Sequence, residues 1–532
     1  MHSRLVVVGI LWTCLVANAC YAAKILVVPA SINSHTMFFT RLAVDLAKLG
    51  HVTTVLATSV VRVPDFAAER VDNFTYVQYA VDGPTPFLNS PEVSERLIAM
   101  AMTASPLRRM KMIGDLNVDV IRHGERDCVR LQDNDPIMNQ VRSAGYDFAI
   151  MDLFAAVACY FTIPYSLGIP YATMSLAMSS AHLFRVPRLA VFPNLVSLSD
   201  RPSFAERLSA FLVERLDPGV ISDSAYFVKK YAANRPCLDT IELIRRQSLW
   251  LFVEDLSVSY ALPQMPNTLA VGDIMARAET RPLSGTVGEF VSRSKGGVIV
   301  AAFGSFCDHF PPQINRRLCD AFAEATKRFG MSVIWKLNAE GFCPHDDILT
   351  SSWIPQSDLL ADSRVKLMIS HGGHNSIIES VYRSKPLLIF PIGLDQPANA
   401  AAAADKGFAI QMNIADFTAE TLVSNIEKLL TDSSYRNNAQ LASAILRDRR
   451  DTPAQRVSAM IDHVIKHGDR HLRTGAFELS TLQFMMFDIF AALFVAAALT
   501  LSAFLLCCYC AYRKCCWRTF RTTQSQRKAK SQ

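Results

Sequence analysis

Between residues 353 and 396 the sequence places polar side chains at the turns of an apolar framework. Val365–Ser370 is a short apolar run bounded by charge, which is typical of a buried parallel strand. It ends in His371-Gly372-Gly373, and Asn375 or Ser376 is placed to cap a helix that runs to Tyr382. Paired glycines before a helix N-terminus expose backbone N–H groups, and the helix dipole favours negative charge there. The pattern therefore predicts a site for a phosphorylated ligand.

Two further features flank this turn. Trp353 precedes it and offers a flat face on which a base can stack. Pro386–Pro391 is the next apolar strand, and Asp395-Gln396 follows its carboxyl end. Ligands of open α/β sheets bind at that edge, so we expect Asp395 and Gln396 to contact the same ligand as the glycine turn.

A histidine and an aspartate occupy equivalent positions in the N-terminal half. Lys24–Ala30, Thr36–Leu49 and residues 51–58 predict strand, helix and strand, so this half is a doubly wound domain. His35 ends the loop after the first strand, and Asp152 ends the strand Tyr146–Asp152. An acid that holds an imidazole allows the ring to act as a general base. Taken alone, His35 fits a helix-capping residue better than a base, and Asp152 fits a helix N-cap about as well as a catalytic acid.

The remaining segments give the rest of the architecture. We expect irregular helices over residues 86–130, an apolar wall over Ile163–Phe184, and helices over Pro187–Phe252. A second domain opens with the strand Gly296–Phe306, in which Gly304-Ser305 lets the backbone approach a phosphate. The chain contains no G-x-G-x-x-G fingerprint, which disfavours a dinucleotide dehydrogenase.

The two ends of the chain predict a membrane protein. At 532 residues it exceeds a single core, and its mean hydropathy is +0.18. We expect a cleaved signal peptide over residues 1–23, a membrane span over 489–511 and a cytosolic tail over 512–532. The basic residues after the span predict type I orientation, with the bulk of the chain in the lumen.

Charge, cysteines and acidic pairs exclude several other classes. The formal net charge of +6 owes much to the basic tail, so we expect no nucleic-acid partner. The six scattered lumenal cysteines suggest small core residues rather than a disulfide framework or a zinc site. Asp133-Asn134-Asp135 is interpreted as a helix cap rather than a metal site. Asn73-Phe74-Thr75 is an N-glycosylation sequon.

The residues quoted above carry a resemblance. The order tryptophan, P-Q, H-G-G-x-N, glutamate and D-Q over residues 353–396 resembles the signature of the UDP-glycosyltransferase family. With its two ends included, the chain is most similar to the animal microsomal branch, the UDP-glucuronosyltransferases. His374 and Ser376 stand where animal members often carry threonine and glycine.

The resemblance implies a fold and a set of site residues. The fold is of the GT-B type, an α/β architecture with two Rossmann-like domains facing a cleft and a C-terminal transmembrane helix. Residues 24–275 would bind the acceptor, 276–290 would form a linker, and 291–470 would bind the UDP-sugar. A helix at about Ala454–His467 would return to the first domain. His35 would be the catalytic base and Asp152 its partner. The UDP-sugar would be held by Gly304, Ser305, Trp353, Gln356, His371, Gly373, Asn375, Ser376, Glu379, Asp395 and Gln396.

The implied function is inverting transfer of glucuronic acid or glucose from a UDP-sugar to a hydroxyl of a small lipophilic acceptor. Helix-terminus binding of the diphosphate would make a metal cofactor unnecessary. A membrane-anchored protein that binds a UDP-sugar or lipid without catalysis is the alternative. Lys528 and Lys530 match the K-x-K-x-x retrieval pattern, which predicts an endoplasmic reticulum address. Self-association or association with a related chain is left open.

Overall fold

The computed structural model describes residues 22–68, 71–83, 85–103, 106–153, 157–175, 203–204, 224–261, 264–275, 280–304, 310–339, 341–484 and 486–529. The predicted signal peptide therefore lies almost wholly outside the described residues. The chain divides into two compact units, Met1–Arg473 and Thr474–Gln532.

The first unit contains two parallel sheets. The first sheet has seven strands in the order β3-β2-β1-β4-β5-β6-β7. Its strands are short apolar runs. Four adjacent strands, β1, β4, β5 and β6, are buried along almost their whole length, as expected for a sheet covered by helices on both faces. The strands are β1 (Lys24–Val28), β2 (Val52–Thr58), β3 (Phe74–Tyr79), β4 (Phe148–Asp152), β5 (Tyr171–Ser175), β6 (Leu249–Phe252) and β7 (Thr268–Ala270).

Seven described helices accompany this sheet. They are α1 (Asn33–Lys48), α2 (Pro91–Ala101), α3 (Pro106–Gln132), α4 (Asp135–Ser143), α5 (Ala158–Leu167), α6 (Ser224–Tyr231) and α7 (Thr240–Arg245).

The second sheet has six parallel strands in the order β10-β9-β8-β11-β12-β13. Its central strand pair places the glycine turn and Gly304 side by side, because Ser370 of β11 is in register with Ala302 of β8. The strands are β8 (Val298–Ala302), β9 (Ser332–Lys336), β10 (Ile348–Ser351), β11 (Val365–Ser370), β12 (Leu387–Ile389) and β13 (Ala409–Gln411). The helices are α8 (Gly285–Arg293), α9 (Pro312–Phe329), α10 (Gln356–Ala361), α11 (His374–Tyr382), α12 (Gln396–Asp405), α13 (Ala419–Thr431), α14 (Ser433–Arg447) and α15 (Pro453–His467).

The last of these helices lies against the first sheet. A capping box between Thr452 and Gln455 starts α15, and its apolar face joins the core formed by β1, β2 and α1. Ser458 of α15 also lies 2.7 Å from Nε2 of His51, at the start of β2. The chain therefore crosses from the second sheet back to the first.

Several sequence predictions require correction. The first helix begins at Asn33 and not at Thr36, which brings His35 into its first turn. Residues 106–132 form one continuous helix where we expected irregular ones, and Leu249–Phe252 is a strand. The predicted linker contains the start of α8, whose Phe290 and Val291 pack in the second core. Of Ile163–Phe184, the structure describes part of α5 and the central strand β5, while residues 176–202 lie outside the described residues.

The cysteines are also not simply small core residues. Cys128 is bonded to Cys159, and Cys319 is bonded to Cys343. The first bond joins α3 to α5, and the second joins α9 to the loop after β9.

The second unit contains α16 (Thr481–Phe484) and α17 (Phe487–Ala529). The segment Phe487–Lys514 is 28 residues long, has a mean hydropathy of 2.5, and is not buried within the protein. At 1.5 Å per residue it is about 42 Å long, more than the ~30 Å of a hydrocarbon core. By length and composition this helix can cross a membrane.

Candidate active site

A histidine–aspartate pair lies at the carboxyl ends of two neighbouring strands. Nδ1 of His35 lies 2.8 Å from Oδ2 of Asp152, and both residues are buried. Asp152 ends β4, which is paired in parallel with β1, while His35 stands in the helix that follows β1. The topology therefore brings together the two residues that the sequence singled out.

The same carboxylate oxygen accepts a second hydrogen bond. The backbone N–H of Ala30 donates to Oδ2 of Asp152 at 2.9 Å. An ionised carboxylate only accepts hydrogen bonds, so Nδ1 of His35 carries the proton in this contact. Nε2 is then the basic nitrogen of the ring, which is the tautomer a general base requires.

A pocket in the first domain is lined in part by Asp152 of this pair, and we call it the first-domain pocket. Its walls come from the loop after β1, the helix α3 and the start of α5. It is lined by Val28, Pro29, Ala30, Ser31, Ile32, Phe87, Leu88, Val120, His123, Gly124, Asp127, Asp152, Val157 and Tyr160. Most of these side chains are apolar, while Asp152 connects the pocket to His35.

The glycine turn of the second domain is closely packed. Gly372 has a φ of +84°, and a Cβ there would lie 2.7 Å from a side-chain carbon of Ile389. A Cβ on Gly304 or Gly373 would lie within 2.8 Å of the His371 ring. Glycine at these positions is therefore required for the backbone to close around His371.

The capping prediction for this turn is wrong. Gly373 is the N-cap of α11 and makes no side-chain cap, while Asn375 and Ser376 lie within the first turn. Ile377 donates the first backbone hydrogen bond within the helix, to the carbonyl of Gly373 at 3.2 Å. The N–H groups of residues 374–376 thus lie at the helix terminus, where an anion can bind.

The positive charge near the glycine turn comes from Lys336, which the sequence analysis missed. Burial, with a smaller effect from the charge of Lys336, lowers the pKa of His371 to about 4, so the imidazole is neutral at neutral pH. Lys336 ends β9, and its Nζ donates to the carbonyl oxygen of Gly304 at 3.3 Å. A lysine as the last residue of an apolar strand was the available signal.

Gln356 of α10 contacts Ser376 and Glu379 of α11. Nε2 of Gln356 donates to Oε2 of Glu379 at 2.5 Å and lies 3.3 Å from Oγ of Ser376. Ser376 and Glu379 are three residues apart and so share one face of the helix. Trp353 is 55% exposed, which leaves its indole accessible for stacking.

The D-Q pair has two different environments. Asn399 donates to Asp395 at 2.6 Å and to the carbonyl of Gly372 at 3.1 Å, which ties Asp395 to the glycine turn. Burial raises the pKa of Asp395, while Asn399 and the charge of His35 oppose that shift. Asp395 of the second domain therefore lies within electrostatic reach of the pair in the first domain.

Gln396 is held by the loop that precedes it. It is buried, and its side-chain oxygen accepts from the backbone N–H groups of Ile392 and Gly393 at 2.9 and 3.1 Å. That oxygen shapes the loop after β12, and only the amide nitrogen remains to donate to a ligand. Ser305 lies outside the described residues.

The acidic pair Asp133 and Asp135 is engaged in local structure. Asp133 accepts from Lys230 at 3.0 Å and from the hydroxyl of Tyr231 at 2.9 Å. Asn134 caps α4, and Asp135 is the first residue of that helix.

Two parallel sheets, a buried histidine–aspartate pair and a glycine turn before a helix agree with the GT-B glycosyltransferase class that the resemblance implies. The sequence profile described as UDP-glucoronosyl and UDP-glucosyl transferase matches residues 23–522. The chain belongs to this family.

Individual relatives span nearly the whole chain. Mouse 2-hydroxyacylsphingosine 1-beta-galactosyltransferase is 27% identical over 494 residues, which cover 90% of this chain and 86% of that protein. UDP-glucuronosyltransferase 2A3 of *Cavia porcellus* is 27% identical over 525 residues, covering 95% and 94%.

Solved structures confirm the fold. The spinosyn forosaminyltransferase SpnP superimposes with a TM-score of 0.57 at 15% identity, covering 84% of this chain and all of that one. The *Phytolacca americana* glycosyltransferase UGT2, solved with UDP-2-fluoro-glucose and pterostilbene, gives a TM-score of 0.56 at 16% identity. It covers 83% of this chain and 99% of its own.

Proposed function

We propose that this UDP-glycosyltransferase moves glucuronic acid or a neutral hexose from a UDP-sugar to a hydroxyl of a small lipophilic acceptor, with inversion. The observation that carries the proposal is the hydrogen-bonded arrangement of Ala30, His35 and Asp152 at the first-domain pocket. A protein that only binds a UDP-sugar has no use for a buried base with its tautomer fixed.

The chemistry follows from the roles of the two domains. Nε2 of His35 takes the proton of the acceptor hydroxyl as its oxygen attacks the anomeric carbon of the sugar. Asp152 stabilises the imidazolium that forms, and attack opposite to the bond that breaks inverts the anomeric centre. UDP leaves with the bonding electron pair.

The departing diphosphate is stabilised by the second domain. The backbone N–H groups that begin α11 and the ammonium of Lys336 supply positive charge there. Trp353 stacks on uracil, Gln356 and Glu379 hold the nucleoside end, and Asp395 binds a sugar hydroxyl. With this charge in place, we propose that catalysis requires no divalent metal.

The sugar is proposed from the relatives, whose names include glucuronosyltransferases and a galactosyltransferase. Lys336 lies where a cation serves the diphosphate or the carboxylate of glucuronic acid. Glucuronic acid, glucose and galactose are therefore the donor sugars to compare.

We propose an endoplasmic reticulum membrane location with the catalytic unit in the lumen. The apolar helix Phe487–Lys514, followed by basic residues, supports this orientation. Two disulfides are consistent with an oxidising compartment, and Asn73 of the sequon is exposed. Endoglycosidase sensitivity that is lost in Asn73→Gln would establish lumenal exposure. A glycan-free wild-type chain that is digested by protease in intact microsomes would contradict the orientation.

The decisive experiment is donor profiling with the full-length protein in microsomes. UDP-glucuronate, UDP-glucose and UDP-galactose are offered with a set of phenols, and the product is tested for the β-linkage. We expect transfer from one donor, unchanged in EDTA. A strict need for a divalent ion would contradict the diphosphate site described, and no transfer from any donor would contradict the enzyme activity.

A further inference from the structure

The first-domain pocket contains a second carboxyl group, which the proposed mechanism does not use. Asp127 lines the pocket together with Asp152. It stands on α3. Gly124, His123 and Val120 precede it by three, four and seven residues, so all four lie on one face of the helix. This helix face therefore presents a single carboxyl group, that of Asp127, to the pocket.

This face of α3 is built so that the helix reaches the pocket closely. A Cβ on Gly124 would lie 2.7 Å from a methyl group of Val157, so only glycine allows this approach. His123 stacks on Phe87 with ring centroids 3.8 Å apart. These contacts fix the position of α3, and therefore of Asp127, relative to the loop after β1.

The carboxyl of Asp127 has a polar environment with remaining capacity. It accepts a hydrogen bond from the side chain of Ser31, whose oxygen lies 2.9 Å from the hydroxyl of Thr58. Two phenols stand nearby, since the hydroxyls of Tyr79 and Tyr160 are 2.9 Å apart and the charge of Asp127 acts on both. A carboxylate can accept about four hydrogen bonds, so a ligand can add to these.

The nearby cations are directed elsewhere. Arg126 lies 3.3 Å from Nε2 of His123, and Arg130 donates twice to the exposed carboxylate of Asp82. Burial raises the pKa of Asp127 to about 6, against smaller effects of Ser31 and Arg126. No cation among the described residues donates a hydrogen bond to Asp127, and a partly desolvated carboxylate in that position gains much from a positively charged ligand.

We propose that Asp127 is a specificity-determining residue that selects acceptors carrying an ammonium group in addition to the hydroxyl that is glycosylated. Ala30 donates to Asp152 and the adjacent Ser31 donates to Asp127, so one loop carries a contact to the catalytic carboxyl and a contact to the selective one. The substrate class is therefore amphiphilic amino alcohols and aminoalkyl phenols. This inference rests on the proposed function of the same site.

The test compares three acceptors of similar size with the full-length protein in microsomes. These are 4-(3-aminopropyl)phenol, 4-(3-hydroxypropyl)phenol and 4-butylphenol, each assayed for kcat/KM with the most active UDP-sugar at pH 7.5. We expect the wild type to prefer the amine over the butyl compound, and Asp127→Asn to reduce that ratio by about tenfold or more, the size of one charge-assisted hydrogen bond. Asp127→Glu should retain the preference.

Asp115→Asn is the matched control, since it removes an exposed carboxylate from the same helix outside the pocket lining. It should leave the ratio unchanged. An equal ratio in wild type and Asp127→Asn overturns the inference, as does an equal loss in Asp115→Asn.

A measurement on the wild type alone does not depend on how the variants fold. In the part of the chain that the structure describes, the charged and titratable groups around Asp127 include Asp82, Arg126, His123, Tyr79, Tyr160 and Asp152. The amine:butyl ratio should rise as pH increases from 5 to 7.5, because the Asp127 carboxyl ionises while the amine stays protonated.

A flat ratio across this range contradicts the inference. Transfer to all three phenols without preference defeats only the role of Asp127. No transfer to any of them from any UDP-sugar defeats the proposed function itself.

Discussion

At the scale of single residues, the strongest expectation concerns the base. His35→Ala should lower kcat by about 10²–10⁴-fold, because general-base catalysis contributes that much. UDP affinity should be nearly unchanged, since the nucleotide contacts come from the second domain. Turnover and UDP binding are measured on the same preparation.

Asp152→Asn is the companion variant. It keeps the shape of the side chain but removes the charge that stabilises the imidazolium, so kcat should fall while UDP still binds. Wild-type turnover in either variant would remove His35 and Asp152 from the mechanism.

The nucleotide residues should respond in the opposite way. Trp353→Ala removes an exposed indole and so the stacking of the uracil base, which is worth about 1–3 kcal/mol of binding free energy. The donor KM should rise accordingly, with a smaller effect on kcat. Glu379→Ala should act in the same direction, because it also frees Gln356 from its 2.5 Å contact. An unchanged donor KM in both variants would mean that the uracil of the donor binds elsewhere.

Sequence reasoning identified the residues that stand at the ends of apolar strands. His35, Asp152 and Asp395 could be anticipated because parallel strands deliver such residues to one edge of a sheet. Asp127 could not, because it lies inside a long helix and its role depends on which face of that helix meets β1. The burial of the Gln396 oxygen by its own loop is likewise a matter of tertiary packing.

At the scale of elements, the disulfide between α3 and α5 should control the acceptor side. Cys128 and Cys159 are the neighbours of Asp127 and Tyr160, which line the first-domain pocket. Replacing both cysteines by serine should lower stability by about 3–4 kcal/mol on the loop-closure account. It should also raise the acceptor KM while the donor KM stays the same.

The second disulfide provides the control. Cys319 and Cys343 close a loop of similar length, 24 residues apart compared with 31, in the second domain. Its removal should cost similar stability but leave the acceptor KM unchanged. An equal change of acceptor KM in both double variants would indicate a general loss of stability.

The elements were predictable where a local pattern was sufficient. The strands β1, β2, β4, β8, β9 and β11 are short apolar runs with turn residues at both ends, and they lie where the pattern places them. The 27 residues of α3 are polar on average, and the sequence analysis missed that they are amphipathic with a helical period. The helix also packs against α5, where Gln132 donates to Thr162. The strand Leu249–Phe252 is too short and too uniformly apolar to distinguish from a buried helix. Disulfide partners that are far apart in sequence leave no local signal.

At the scale of the whole molecule, the two sheets are held together by polar contacts as well as by α15. Asp255, from the loop after β6, forms an ion pair with Arg449, and Nζ of Lys406 donates to the carbonyl of Leu256 at 2.9 Å. Asp255 is buried, and its charge also acts on His374 in the first turn of α11. The helix α11 is therefore coupled electrostatically to the first domain.

This arrangement predicts how stability depends on pH. Burial lowers the pKa of His374 to about 4, against an opposing effect of Asp255, and His371 is lowered to about 4 as well. The unfolded histidines have a pKa near ~6.5. Between the two values the unfolded chain binds protons that the folded chain does not. Stability from each histidine is therefore complete above about pH 6.5 and is lost as the pH falls towards 4.

His374→Thr isolates one of these contributions, because threonine does not titrate. Asp127 and Asp395, whose pKa values are raised, act in the opposite sense, so the total pH dependence of the wild type is a sum of opposing effects. The difference between wild type and variant removes that common part. Thermal unfolding is followed by tryptophan fluorescence in detergent at pH 7 and pH 5, with His345→Thr as an exposed control. The wild type should lose about 2 kcal/mol more than His374→Thr between these pH values, since one pKa unit corresponds to about 1.4 kcal/mol. An equal loss in both proteins would mean that His374 is protonated at pH 5 in the folded state, and that the first turn of α11 carries a charge that its buried position argues against.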